Sequence, residues 1–260
     1  MRGSMMLLTL ALAAGTAAPA AAQDFSWKGT LAAGKMLEVR GVIGGIHASL
    51  ASGDQIEVTA TKRGRHSDPA DVKIQVVPWD GGVTICAVYP TPRRARHENE
   101  CAPQGGGSMS TDNNDVSVEF TVKVPAKVNF TGATVNGQVS ADGLGGDADL
   151  STVNGDVSVS AAGVVEATTV NGSIDATSGK NNWEGALKFN TVNGGITLRV
   201  PDGLNADLRA STVNGRITTD FPVTVTGSMS PRSLKGRIGT GGRDLDMETV
   251  NGSIEIRKKG

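Results

Sequence analysis

Over much of the chain after residue 130, apolar side chains fall on every second position. Val139 and Ala141, Val157 and Val159, Ile174 and Ala176, Ile196 and Leu198, and Ile254 and Ile256 share one parity, and polar residues fill the other. A period of two marks a strand with one buried face. The segments just ahead of these alternate too. Leu187, Phe189 and Thr191 oppose Lys188 and Asn190; Ala206, Leu208, Ala210 and Thr212 oppose Asp207, Arg209 and Ser211; Leu245, Met247 and Thr249 oppose Asp246 and Glu248. One tetrapeptide, Thr-Val-Asn-Gly, joins the paired segments. It occurs six times, ending at Gly137, Gly155, Gly172, Gly194, Gly215 and Gly252. The unit is strand, Asn-Gly corner, strand, and a second turn that often carries glycine (Gly143, Gly163, Gly179).

Successive copies are 18, 17, 22, 21 and 37 residues apart. The last gap is double length, and a worn copy, Leu234-Lys235-Gly236-Arg237-Ile238, divides it into 21 and 16. A second worn copy is Val42-Ile43-Gly44-Gly45-Ile46. Counting both predicts roughly eight coils, and at about 4.8 Å each a rod about 35 to 40 Å long. Asn and Gly both tolerate positive φ, which predicts tight corners at Asn136-Gly137, Asn154-Gly155, Asn171-Gly172, Asn193-Gly194, Asn214-Gly215 and Asn251-Gly252. Two arrangements meet this demand: an antiparallel meander of hairpins, or a β-solenoid with equivalent residues stacked. Near-identity from copy to copy favours the solenoid, because stacked Asn side chains can pass amide hydrogen bonds along the axis. An inward Thr row would be under similar pressure. The inward Thr and the apolar residue that follows have opposite parity, so the chain must bend or bulge between them.

The fold class expected is all-β: a solenoid over 126–260 and a less regular β region over 23–125. Within the latter, Gln55–Thr61, Val72–Val77, Gly82–Val88 and Val116–Val124 read as strands. The Gly/Ser-rich run over 104–114 is expected to be a mobile loop, and the region as a whole to cap one open end of the stack. The Thr-Val-Asn-Gly ladder, with Val124-Pro125, Val200-Pro201 and the insert Asp220-Phe221-Pro222, resembles the bacterial putative-adhesin family of β-strand-repeat proteins, a domain of unknown function. The likeness runs from about Val39 to Ile256. It implies an envelope or surface protein and brings no catalytic residue with it.

The start of the chain adds a compartment. Arg2, the apolar run Met5–Ala14 and then Ala20-Ala21-Ala22 read as a secretory signal over 1–22, cleaved before Gln23. The run is too short for a spanning helix, which needs roughly 20 apolar residues, and no later segment is long and apolar enough. The expected location is periplasm, outer cell surface or medium. In such a compartment Cys86 and Cys101 are expected to form a disulfide. The formal charge is −1, and loss of Arg2 makes it −2, which argues against general nucleic-acid binding. Aromatic residues are only 3% against 35 glycines, so the core is expected to be thin and aliphatic.

Candidate chemistry is sparse. His47, His66 and His97 have no metal-ligand spacing, and neither a G-x-S-x-G elbow nor a P-loop is present. Asp142, Asp147, Asp149, Asp156, Asp175, Asp207, Asp244 and Asp246 follow the repeats and read as a solvated face. Asp112–Asp115 (DNND) could hold a cation but reads better as a solvated loop. Arg93, Arg94, Arg96 and His97 offer a small anion or glycan contact on the disulfide loop. The reading is a non-catalytic exported module, with no catalytic, cofactor or metal residues, whose partner is a surface glycan or envelope protein. The alternative is a polysaccharide lyase or hydrolase on a β-helix, with only Trp27, Trp79, Trp183 and Tyr89 as sugar platforms.

Overall fold

The structure is a computed structural model that describes residues 23–260. The expected signal over 1–22 lies outside the described residues. The fold is nearly all-β and builds a ten-stranded and an eleven-stranded sheet, packed face to face over one continuous apolar core.

Before residue 126 come β1 (Gln23–Gly29), β2 (Met36–Arg40), β3 (Ile46–Leu50), β4 (Ile56–Arg63), β5 (Lys73–Trp79), β6 (Gly82–Val88) and β7 (Ser117–Val124). The next eight are β8 (Asn129–Ala133), β9 (Val139–Leu144), β10 (Ala148–Ser151), β11 (Val157–Ala161), β12 (Val165–Thr168), β13 (Ile174–Ser178), β14 (Ala186–Asn190) and β15 (Ile196–Val200). The last are β16 (Ala206–Asn214), β17 (Ile217–Thr219), β18 (Val223–Ser230), β19 (Ser233–Ile238), β20 (Asp244–Asn251) and β21 (Ile254–Lys258).

A rung is one strand of the eleven-stranded sheet, a corner, and one strand of the ten-stranded sheet. Equivalent strands pair in parallel, Val157 beside Val139 and Ile174 and Leu150 beside Ala167, for example. The solenoid is therefore the correct arrangement and the antiparallel meander is not. Eight rungs stack in the spatial order β6/β7, β2/β3, β8/β9, β10/β11, β12/β13, β14/β15, β20/β21 and β16/β17. Residues before 126 thus supply two rungs in addition to end-covering strands.

The order departs from sequence at both ends. The last Thr-Val-Asn-Gly copy lies between the fourth and fifth, because Asn251 pairs with Asn193 and β20 separates β14 from β16. The worn copy Leu234–Ile238 is not a coil. It is β19, antiparallel on the outer edge of β16 and backed by β18. It closes the edge that β16 leaves open. The 37-residue step is an overshoot: the chain lays the end rung, turns back through β18 and β19, and fills the skipped position. The beginning mirrors this. β2/β3 is laid first, β6/β7 stacks outside it and β8/β9 inside, while β4 and β5 pair antiparallel with β7 and β6. Antiparallel strands thus cover three of the four sheet edges, which limits edge-to-edge pairing. The worn copy at Val42–Ile46 is a true corner, with Ile43 bridging to Asn136.

The corners run two parallel hydrogen-bond ladders up the stack. Five of the six corner Asn residues donate from Nδ2 to the Oδ1 of the Asn in the neighbouring rung: Asn154 to Asn136 at 2.8 Å, Asn171 to Asn154 at 2.8 Å, Asn193 to Asn171 at 2.7 Å, Asn251 to Asn193 at 2.7 Å and Asn214 to Asn251 at 2.8 Å. Each buried Thr donates from Oγ1 to the corner-glycine carbonyl of the adjoining rung, as Thr152 does to Gly137 at 2.9 Å, Thr169 to Gly155 at 2.9 Å and Thr191 to Gly172 at 2.8 Å. Between them the Val faces outward, so Val and Asn point out in succession and the parity changes there. That is the bend the alternation demanded.

The corner glycines are present for a different reason from the one expected. None of the six adopts positive φ. A Cβ on Gly172 would lie 1.9 Å from the Gly155 carbonyl oxygen, and one on Gly155 would lie 2.1 Å from that of Gly137. Close approach of backbone between rungs excludes any side chain. Positive φ is used in a return turn instead, at Gly143.

Candidate groove on the outer face

The parallel register aligns outward side chains into columns across the eleven-stranded sheet. One column runs Glu38, Thr131, Asp149, Glu166. Farther along, Lys188, Asp246 and Arg209 continue it. The far part is neutralised: Arg209 pairs with Asp244 at 3.3 Å and Asp246 at 3.4 Å, and Arg237 with Asp207 at 3.3 Å.

Two overhangs frame the near part. At one end the loop between β6 and β7 lies over the sheet, held by the disulfide between Cys86 on β6 and Cys101. Tyr89 donates to the Val116 carbonyl at 2.7 Å and closes the neck of this loop. Burial pushes the Tyr89 hydroxyl up to about 12. Glu38 is buried beneath the loop, accepting from the Thr84 hydroxyl at 2.7 Å and the Gln104 backbone N–H at 2.9 Å. At the other end Trp183 is buried ahead of β14. It is fixed by its indole N–H to the Asp244 carbonyl at 3.0 Å and by Arg243 donating to its own carbonyl at 3.2 Å.

Between the overhangs lies a groove of about 790 Å³, lined by Met36, Thr131, Asp149, Glu166, Lys180 and Trp183 among others. It continues into a hollow of about 340 Å³ that shares Met36, Thr131 and Asp149 and reaches Arg40, Trp79 and Gln104. The two together cross five strands from β2 to β14, about 20 Å at the usual strand spacing. A larger space of about 920 Å³ at the end rung, beside Arg216, Pro231 and Glu255, is an open gap between β17 and the turn joining β18 to β19. It gathers no comparable set of inward-facing groups.

Asp149 and Glu166 are direct register partners on the groove floor. Asp149 reaches solvent but is walled on both sides. Among the described residues it has neither a hydrogen-bond nor an ion-pair partner. The protein around it displaces water and holds its carboxyl above the ordinary value. Glu166 is also raised, first by burial and then by the charge of Asp149; its one hydrogen bond is from the Lys188 backbone N–H at 3.3 Å. At the groove wall the indole N–H of Trp79 is the one buried side-chain polar atom without a hydrogen-bond partner among the described residues.

The other residues singled out from sequence scatter. Tyr89 is buried, so it is no sugar platform, and Trp27 packs against the core. Asp115 is a turn clamp: its carboxylate accepts from the backbone N–H groups of Ser67 at 2.9 Å and His66 at 3.0 Å, bonds that hold it well below the usual carboxylate range. Arg93, Arg94, Arg96 and His97 are exposed on the disulfide loop, outside the groove. Among the described residues no group of acidic, His or Cys side chains could hold a metal. The six corner Asn residues are spent on one another, and of the aspartates only Asp147 and Asp149 line the groove. Glu166 went unnoticed in the sequence. Its outward parity between Val165 and Ala167 was visible, but its neighbour across the sheet is 17 residues away and only the stacking register reveals it.

Two sheets of parallel rungs joined by laddered corners define a β-solenoid-like stack. The chain belongs to the Toastrack DUF4097 family, whose profile matches residues 105–257, more than half of the sequence. No curated protein matches it. Among solved structures it is similar to a putative cell adhesion protein from Clostridium sporogenes at 15% identity, covering 91% of this chain and all of that one, with a TM-score of 0.46. It is also similar to a putative adhesin from Bacteroides fragilis, at 11% identity, 91% and 97% coverage and a TM-score of 0.38. A third is a putative lipid binding protein from Parabacteroides distasonis, at 8% identity, 91% and 97% coverage and a TM-score of 0.29. These likenesses carry no argument about what this chain binds. No helix among the described residues is long and apolar enough to cross a membrane.

Proposed function

We propose that the protein is a non-catalytic, exported binding module of the cell envelope or cell surface, presenting the outer face of its eleven-stranded sheet to a surface glycan or envelope protein. One observation carries this reading: the side chains repeated most often are consumed by the stack, while the carboxylates of Asp149 and Glu166 stand together on the floor of a walled groove. A rigid scaffold with one concave polar face suits recognition. The signal expected over 1–22 supports an exported location, and the disulfide fits an oxidising compartment. Pull-down of isolated cell envelopes by the purified protein tests the reading. Capture that fails when groove residues are changed supports it; equal recovery on protein-free beads refutes it.

One observation favours a second reading, a polysaccharide hydrolase. Adjacent carboxylates with raised pKa values are the groups a glycosidase uses. Release of reducing ends from soluble polysaccharides, abolished in Asp149→Asn, would establish it in place of the first.

A further inference from the structure

We propose that the groove between the disulfide loop and Trp183 is an oligosaccharide site, taking a chain of hydroxyl- and amine-bearing sugars lengthwise across the rungs with Asp149 and Glu166 as its acceptors. This deepens the binding-module reading and rests on it. The groove and hollow together cross five strands, about four strand spacings, so an extended polymer fits them better than a compact metabolite does. Its floor is made of side chains on a sheet face and offers no open strand edge, so a peptide gains no backbone ladder there. Indoles bound both ends: the half-buried Trp79 gives apolar surface for a sugar-ring face, and the buried Trp183 fixes the far wall.

Charge selects among sugars. Asp147, Asp149, Glu166 and Glu184 line the main groove against Lys180 and Arg243. Lys180 is paired with Asp147 at 3.4 Å, and Arg243 donates to the Trp183 carbonyl. A bond to a neutral carbonyl leaves the Arg243 charge in place, but four carboxylates outnumber two cations, so the groove is net negative, with Asp149 and Glu166 on its floor. Acidic sugars are repelled, neutral sugars accepted, and amino sugars attracted through charge-assisted hydrogen bonds.

The test is calorimetric titration of the mature chain with glucosamine oligomers, cello-oligosaccharides and oligogalacturonate. Glucosamine oligomers should bind tightest, cello-oligosaccharides more weakly, and oligogalacturonate not measurably. Asp149→Asn with Glu166→Gln should weaken glucosamine binding by about tenfold or more. Arg209→Ala, on the same face outside the groove, should leave it unchanged. Both substitutions remove unfavourable or exposed charge, so the variants are expected to fold, as circular dichroism checks. Oligogalacturonate binding as well as glucosamine, unaltered binding by the double variant, or no binding of any probe overturns the proposal. If no probe binds but envelopes are still captured, the groove assignment fails and the binding-module reading stands; loss of capture as well defeats both.

Discussion

Replacing Gly172 by Ala separates two explanations of the repeated Asn-Gly corner. The new Cβ would sit 1.9 Å from the Gly155 carbonyl oxygen, well over an ångström inside van der Waals contact. That oxygen also accepts the Thr169 hydroxyl at 2.9 Å, and the adjoining Asn171–Asn154 bond is 2.8 Å. The rungs cannot part without stretching both. Overpacking of this kind costs about 1–3 kcal/mol, and each weakened hydrogen bond adds up to about 0.5–1.5 kcal/mol. Loss of glycine freedom in the unfolded chain returns about 0.4–1 kcal/mol. The net destabilisation is about 2–5 kcal/mol, and at this chain length it lowers Tm by on the order of 5–15 °C. Gly53 supplies the control, since a Cβ there meets nothing within 4 Å and its φ is not positive. Gly53→Ala keeps the entropy gain alone and should leave Tm unchanged or slightly higher. Gly172→Asn is the decisive third variant. If the corner needed positive φ, Asn would be tolerated; if stacked backbone forbids a Cβ, Asn is as harmful as Ala. Thermal melts followed by circular dichroism give the answer, and Gly172→Asn melting with the wild type would refute the close-approach account.

Asn154→Ala removes two ladder bonds and Asn214→Ala, at the end of the ladder, only one, so urea denaturation should show the first to be the more harmful, by about 1 kcal/mol. Thr169→Val leaves the Gly155 carbonyl without its buried hydroxyl partner and should cost about 1–3 kcal/mol by the same measurement. Reducing the Cys86–Cys101 bond opens a link of sequence separation 15 and should remove about 3 kcal/mol in the chain-entropy model; a melt unmoved by reductant would contradict this. Asp149 and Glu166 have folded pKa values above their unfolded ones, so their ionisation opposes folding at neutral pH, and that penalty disappears as pH falls through the folded values. Asp149→Asn should therefore be more stable than wild type at neutral pH and lose that advantage in acid, as parallel melts across pH will show.

The alternation and the tetrapeptide were enough to read strands, corners and parallel stacking, because a period of two and a fixed repeat are local signals. Thr152 and Thr169 fit the inward row, and Asn136 to Asn251 fit the ladder, because stacking repeats one local geometry. Rung order was not legible. Nothing local to Leu234–Ile238 distinguishes a coil from an antiparallel strand, and the choice depends on which edge is already open. The role of the corner glycines is hidden for a related cause: φ preference is a property of one residue, whereas the Gly155 oxygen that excludes a Cβ at Gly172 belongs to the neighbouring rung. The groove was hidden for the same reason, since Asp149, Glu166, Trp79 and Trp183 converge only through register and through loops pinned by Cys101 and Asp244.

The overshoot at each end has a mechanical corollary. In an ordinary solenoid the outermost repeat holds a chain terminus and can fray away one layer at a time. Here the C-terminal β20/β21 layer is sandwiched between β14/β15 and β16/β17. A pull on the tail must extract an interior slat while its outer neighbour remains attached through earlier sequence. Unzipping from that side is blocked, and a tugging surface would meet a clasped stack and not a loose last page.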